Sequence, residues 1–334
     1  MMFAAIRSSF CGYVQLALAG LSPLVLGAGA AWAQADAGGY PNRPSKLVVG
    51  FAPGGATDIL ARTIAQKLAE RLGQPVVVDN RPGGGGMLSG DIVARSAPDG
   101  YTLLMGMSGP TVFAPAVYSK VPYDSIKSFA PIGIVASYPL LVVVNADMPI
   151  KSVAELVAYS KANPAKSNYA SASPLFQLST ELFKTRTGAQ IEHIPFKGSL
   201  EGTTAIMKGE VLTALIDPAP VVPHIAAGKL RLLAHTGPAA NPEFPGTPNL
   251  KNEGVDVVVE VFGGLLAPAG TPASVIERLE RELAVIRKMP DVIERLKGLG
   301  MPIRDSSAKD FAEVIAREIP MWTATAKAAN IKLD

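Results

Sequence analysis

Cysteine is all but missing: Cys11 is the only one in 334 residues, and it lies in an N-terminal stretch with a character of its own. Arg7 is the only charged side chain among the first 33 residues, an apolar run follows from about Val14, and "AWAQA" offers a small-x-small cleavage site after Ala33. Residues 1–33 therefore read as a secretory signal peptide. Pro23 and several glycines interrupt the apolar run and no basic stop-transfer cluster follows, which argues against a retained anchor. No leucine-rich lipoprotein box precedes Cys11, which argues against lipidation. The expected mature chain has 334 − 33 = 301 residues and no cysteine, so disulfides, thiol nucleophiles and thiolate metal sites are excluded together.

Charge is scarce as well. Only 18% of residues are charged, and the formal net charge of +3 falls to +2 once Arg7 is removed. That balance carries no electrostatic footprint for nucleic acid or for an anionic membrane. No later segment is continuously apolar for long enough to span a bilayer, so the mature chain is expected to be soluble outside the cytoplasm. The only histidines, His193, His224 and His235, show no metal-ligand spacing. "RPGGGGMLSG" has no dinucleotide-binding glycine register, no phosphate-loop motif occurs, and "GMSGP" (106–110) misses the nucleophile elbow because Pro110 takes the last glycine position. An enzyme is disfavoured, and neither metal nor cofactor is expected.

What is present is alternation. From Lys46 onward short β-branched runs alternate with helical patterns, the signature of parallel α/β layers. The expected strands are 46–51, 75–79, 101–106, 140–145, 191–196, 211–217, 230–236 and 257–267, several of them apolar at consecutive positions, as strands covered on both faces are. The first helix carries Leu60, Ile64, Leu68 and Leu72 at i, i+4 spacing and ends at Gly73; later helices are expected over 86–96, 152–162, 174–187, 200–208, 273–288, 290–298 and 308–329. Pro or Gly beside strands near 144–153 and 261–272 suggests two crossings between lobes. The division that follows is residues 34–144 plus 262–334 as one lobe and 145–261 as the other, with a cleft between them.

Two helix openings could hold an anion. In "APGGATD", Pro53, Gly54 and Gly55 let backbone approach a ligand closely, and the free N–H groups and dipole of the following helix favour negative charge. Either Thr57 or Asp58 is a possible cap, which would compete for those N–H groups. In "YASASPLFQ", Ser173 before Pro174 is a cap and first-turn pair, so Ser171 and Ser173 stand at a second helix mouth, where local pattern favours plain capping over ligand contact. Glycines 83–86 read as a turn between strand and helix.

Taken in order, "YPNRPSKLVVGFAPGGATDILAR", "VVVDNRPGGGGMLSGDIVARSAPDGYTLLMG", "VPYDSIKSFAPIGIVA", "PFKG", "GKLRLLAHTG" and "FGGLLAPAGTPASVIERL" resemble the tripartite tricarboxylate transporter substrate-binding proteins, or Bug-type extracytoplasmic receptors, over nearly the whole mature chain. The resemblance implies a periplasmic, two-lobed α/β fold of the periplasmic-binding-protein kind, with a ligand cleft between the lobes and two crossing strands. It implies a monomer that closes on a small organic carboxylate and delivers it to the membrane permease subunits of such a transporter, without chemistry. A sensing receptor for a membrane signalling protein is an alternative, and a secreted hydrolase using the same cleft, with Ser108 or Ser173 as nucleophile, is a weaker one. Carried over by residue, one jaw is Phe51, Pro53, Gly54, Gly55, Ala56, Thr57 and Asp58, with Ser108 on the next cleft loop. The other jaw is 170–177, where Gln177 stands in place of the family's usual histidine; Lys197, Gly198, Ser199 and Asp217 match further cleft loops, and Phe262 stands where a tryptophan is common. Fewer glycines in the second jaw, with Leu175 and Phe176 beside it, point to a monocarboxylate or aromatic acid rather than a highly charged tricarboxylate.

Overall fold

The computed structural model describes residues 39–333, so the segment read as a signal peptide, with Cys11, lies outside the described residues. The strands run β1 (Ser45–Val49), β2 (Val76–Asn80), β3 (Thr102–Met107), β4 (Phe129–Pro139), β5 (Leu141–Asn145), β6 (Asn168–Ser171), β7 (Glu192–Pro195), β8 (Thr213–Ile216), β9 (Leu230–His235) and β10 (Glu260–Pro268). They form two five-stranded sheets, one ordered β2-β1-β3-β10-β4 and one ordered β7-β6-β8-β5-β9. The helices are α1 (Ala56–Leu72), α2 (Met87–Ala94), α3 (Ala114–Val117), α4 (Val153–Ala162), α5 (Pro174–Thr187), α6 (Ser199–Met207), α7 (Val222–Ala226), α8 (Ala273–Ile286), α9 (Pro290–Lys297) and α10 (Ala308–Ala328).

Neither sheet is wholly parallel, which corrects the expectation from alternation alone. β1 pairs in parallel with β2 and β3, but β10 runs antiparallel between β3 and β4. In the second sheet β6 is parallel to β7 and β8, while β5 is antiparallel to both β8 and β9. The physical reason is the traffic between sheets: β10 returns from the second sheet and enters the first from the opposite end. The chain changes sheets between Pro139 and Leu141 and again between His235 and Glu260. The first change thus comes one strand earlier than the 144–153 turn suggests.

Two strands carry weak sequence signals. β4 contains Pro131 and Gly133, which break a strand pattern, yet β4 lies at the sheet edge, where a missing N–H is tolerated. β6 is four residues long. The first helix, by contrast, forms as its spacing requires: Leu60, Ile64, Leu68 and Leu72 are buried, and Gly73 ends it in the left-handed conformation at φ 69°.

The two crossing segments are tied at one residue. Thr236 is fully buried; its N–H donates to the Leu140 carbonyl (2.9 Å), its carbonyl accepts from Val259 N (2.9 Å), and its hydroxyl accepts from Leu140 N (2.9 Å) while donating to the Val259 carbonyl (2.6 Å). Thr236→Val keeps the shape and strands a backbone donor and acceptor, which should cost about 2–4 kcal/mol and lower Tm by several degrees. Thr236→Ser, which retains the hydroxyl, should stay much closer to the parent in the same thermal melts. A loss in Thr236→Ser with a near-parental Thr236→Val would assign the effect to methyl packing instead.

Candidate ligand-binding cleft

β1 ends at Val49, and the chain turns through Ala52-Pro53-Gly54-Gly55 into α1. Gly55 is the helix N-cap, with φ −83° and ψ 173° and no side-chain cap. Neither Thr57 nor Asp58 caps the helix, contrary to the sequence expectation. Asp58 instead braces the turn: its carboxylate accepts from Gly54 N (3.0 Å), Arg62 Nε (2.9 Å) and Asn80 Nδ2 (2.9 Å). Burial alone would raise its pKa, but the bonds from Arg62, Gly54 and Asn80 outweigh burial and hold it below the ordinary value. With no cap of its own, the first turn of α1 presents its N–H groups outward.

Those N–H groups face the other sheet's helices. A cavity of about 20 Å³ is lined by Phe51, Gly55, Ala56, Thr57, Met107, Gly109, Tyr138 and Val261 on one side and by Ser173, Leu175, Phe176, Ser199 and Asp217 on the other. That is room for about one water, so a larger guest requires the two sides to part. Three helix N-termini converge there: Ala56 opens α1, Ser173 caps α5 by accepting from Phe176 N (3.4 Å), and Ser199 opens α6. No Lys, Arg or His lines the cavity. The groups there that favour an anion are therefore helix dipoles and neutral donors rather than formal cations.

Asp217 is the one carboxylic acid in the lining. It is 3% exposed, and its Oδ2 accepts from Ala56 N across the cleft at 3.1 Å. Burial pushes its pKa up to about 6, against the smaller lowering effects of Ser199, its own backbone and the Ala56 N–H. Ser199 stands beside the carboxylate without a hydrogen bond of good geometry, and Oδ1 has no partner. Tyr138, buried next to it, has its pKa raised by burial first and then by the Asp217 charge, so its phenol stays a neutral donor.

The sequence candidates divide. Phe51, Gly55, Ala56, Thr57, Ser173, Ser199 and Asp217 line the cavity. Pro53 is exposed and Gly54 half-buried, both outside the lining, and Gln177 is half-buried one turn into α5. Ser108 is fully buried and accepts from Phe262 N at 3.3 Å, so it secures β10 while its neighbours Met107 and Gly109 reach the cavity. Ser171 bonds His193 Nε2 at 2.8 Å between β6 and β7, outside the cavity lining. Lys197 is exposed; its carbonyl accepts from Ala52 N at 3.2 Å, and Gly198 packs against Ala52. Lys197 lines a neighbouring space of about 370 Å³ together with the 83–86 glycines. Those glycines do more than turn the chain: a Cβ on Gly85, which sits at φ +61°, would fall 2.6 Å from Pro174 at the mouth of α5. Missing from the sequence candidates are Met107, Gly109, Tyr138 and Val261.

Among the described residues no group of His, Cys, Asp and Glu could hold a metal ion, and no helix is long and apolar enough to cross a membrane. A family profile described as the tripartite tricarboxylate transporter family receptor matches residues 60–331. The Bordetella pertussis protein BugT is 34% identical over 298 residues, covering 88% of this chain and 91% of that protein. A solved Rhodopseudomonas palustris protein with adipate superposes with a TM-score of 0.84 at 33% identity, covering 88% of this chain and 99% of the other. MatC of the same organism, solved with bound malate, gives a TM-score of 0.82 at 29% identity, covering 85% and 99%.

Proposed function

Because the chain belongs to the tripartite tricarboxylate transporter family of solute-binding receptors, we propose that it captures a small organic carboxylate between two lobes and delivers it to the membrane permease subunits of such a transporter. The observation that carries this reading is the convergence of the α1, α5 and α6 N-termini on a cavity with no cationic side chain. Backbone N–H groups and the hydroxyls of Thr57, Tyr138, Ser173 and Ser199 would hold one carboxylate, and Phe51, Met107, Leu175, Phe176 and Val261 would enclose an apolar remainder. A second and third carboxylate would find no counter-charge there, which favours an acid of low charge over a tricarboxylate. Relatives solved with adipate and malate fit the same general chemistry.

In this reading one lobe is built on the first sheet and the other on the second, with the early boundary at Leu140 rather than 144. Thr236 anchors the hinge, and a ligand favours the closed form through contacts that exist only when both sides meet. The protein works as a monomer in the periplasm, to which residues 1–33 direct it. In a thermal-shift screen against aliphatic, hydroxy, amino, di-, tri- and aromatic carboxylates, one acid class should raise Tm by several degrees. Ligand at ~100 times its Kd adds about 2.7 kcal/mol. No shift with any acid, together with no small acid released on denaturation and seen by mass spectrometry, would overturn the reading.

A further inference from the structure

Asp217 is anomalous in a pocket that attracts anions. It follows β8, lines the cavity, is 3% exposed, and has one carboxylate oxygen on Ala56 N while the other has no partner. An unsatisfied buried carboxylate oxygen is costly; the Ser199 hydroxyl and the residue's own backbone offset the charge only in part, and no Lys, Arg or His in the lining adds to them. A ligand that brought only acceptor atoms would add a second negative charge beside the first. One that brought a donor would satisfy Oδ1 and place an attractive group between two carboxylates.

We infer that Asp217 is a specificity-determining residue of the cleft: its free Oδ1 accepts a hydrogen bond from the bound acid, which selects carboxylates bearing a hydroxyl or ammonium donor. The inference deepens the carboxylate-receptor reading and rests on it. Geometry narrows the class further. Oδ2 is already fixed on Ala56 N, at the same helix terminus whose other N–H groups would receive the ligand carboxylate. Donor and carboxylate must therefore sit close together on the ligand, as on the α-carbon of a 2-hydroxy or 2-amino acid. Asp217 thus supplies the pocket's one strong acceptor among donors, and a simple acid of the same size leaves it unpaired.

The test is calorimetric titration of the purified protein with matched sets: propionate, lactate and alanine; succinate, malate and aspartate; phenylacetate, mandelate and phenylglycine. In whichever set binds, the hydroxy or amino member should bind at least ~10-fold more tightly than the unsubstituted acid, the scale of one hydrogen bond to a charged group. Asp217→Asn should bring that ratio close to one. The parent protein's ratio decides the matter even if the variant fails to fold. An unsubstituted acid binding as tightly as its partners, or a preference that survives in a folded Asp217→Asn protein, would overturn the inference and leave the receptor reading standing. Failure of every member of every set to bind would overturn the inference, while the receptor reading falls only if the wider carboxylate screen and the search for a released acid also fail.

Discussion

Gly55→Val removes ligand binding while the protein still folds. The φ and ψ of Gly55 lie in the extended region that valine favours, so the backbone is not strained by the change. The helix loses a tolerable N-cap for a poor one, at a cost of about 1 kcal/mol or less. The binding consequence is larger because of what faces it. A Cβ at position 55 would sit 3.7 Å from Ser199 N and 3.9 Å from Ser199 Cβ, at ordinary contact distance. The two further methyl groups of valine have no such space in a cavity of about 20 Å³, and they cover the N–H groups of α1 that would receive the carboxylate. Affinity for the acid identified by screening should fall at least ~100-fold by calorimetry, equivalent to about 2.7 kcal/mol. Gly55→Ala, whose single methyl just fits, should retain most of the affinity. Undiminished binding by the valine protein with a normal melting curve would show the turn to be structural only.

The contrast between Gly55 and its neighbours shows what a sequence can and cannot say about such a site. The α1 opening was legible because an apolar strand, a glycine pair and a strict i, i+4 stripe occur within one stretch, and local pattern decides each of them. Which side chains face the cleft was less legible, since strand side chains alternate and one position of register sends a residue to the other face. Ser108 therefore secures β10 while Met107 and Gly109 line the cavity, and Ser171 bonds His193 while Ser173 lies at the α5 mouth. Tyr138 and Val261 come from β4 and β10, strands beside the crossings, and their place in the lining depends on how two sheets meet rather than on any local signal. Asp217 came from family resemblance alone. Its solitary buried carboxylate in "IDPAP" matches no motif, and only the structure brings it to the N-terminus of a helix 161 residues earlier.

Asp217→Asn should raise the stability of the ligand-free protein above pH 6 and leave it unchanged near pH 4. The folded-state pKa of Asp217 stands at about 6, because burial penalises the charged form more than Ser199, its own backbone and the Ala56 N–H favour it. A raised folded pKa means the native state holds the proton more tightly than the unfolded chain, where an aspartate titrates near about 3.9. The associated stability is fully present below the unfolded pKa and is lost as pH rises through the folded one. Ionising the buried carboxylate at neutral pH therefore carries a penalty on the order of 3 kcal/mol. Asparagine keeps an oxygen for Ala56 N without burying a charge. Its Tm should exceed the parent's by several degrees at pH 8, with the gap closing between pH 7 and pH 4; other carboxylates titrate in both proteins and cancel in the difference. Parallel curves across that range would mean that the carboxylate is not held at a cost. If the cost is real, a bound donor on Oδ1 recovers part of it, so affinity for a 2-hydroxy or 2-amino acid should strengthen from pH 5 to pH 7 in the parent and stay flat in Asp217→Asn. The same buried charge that weakens the empty protein then becomes a source of selectivity in the loaded one.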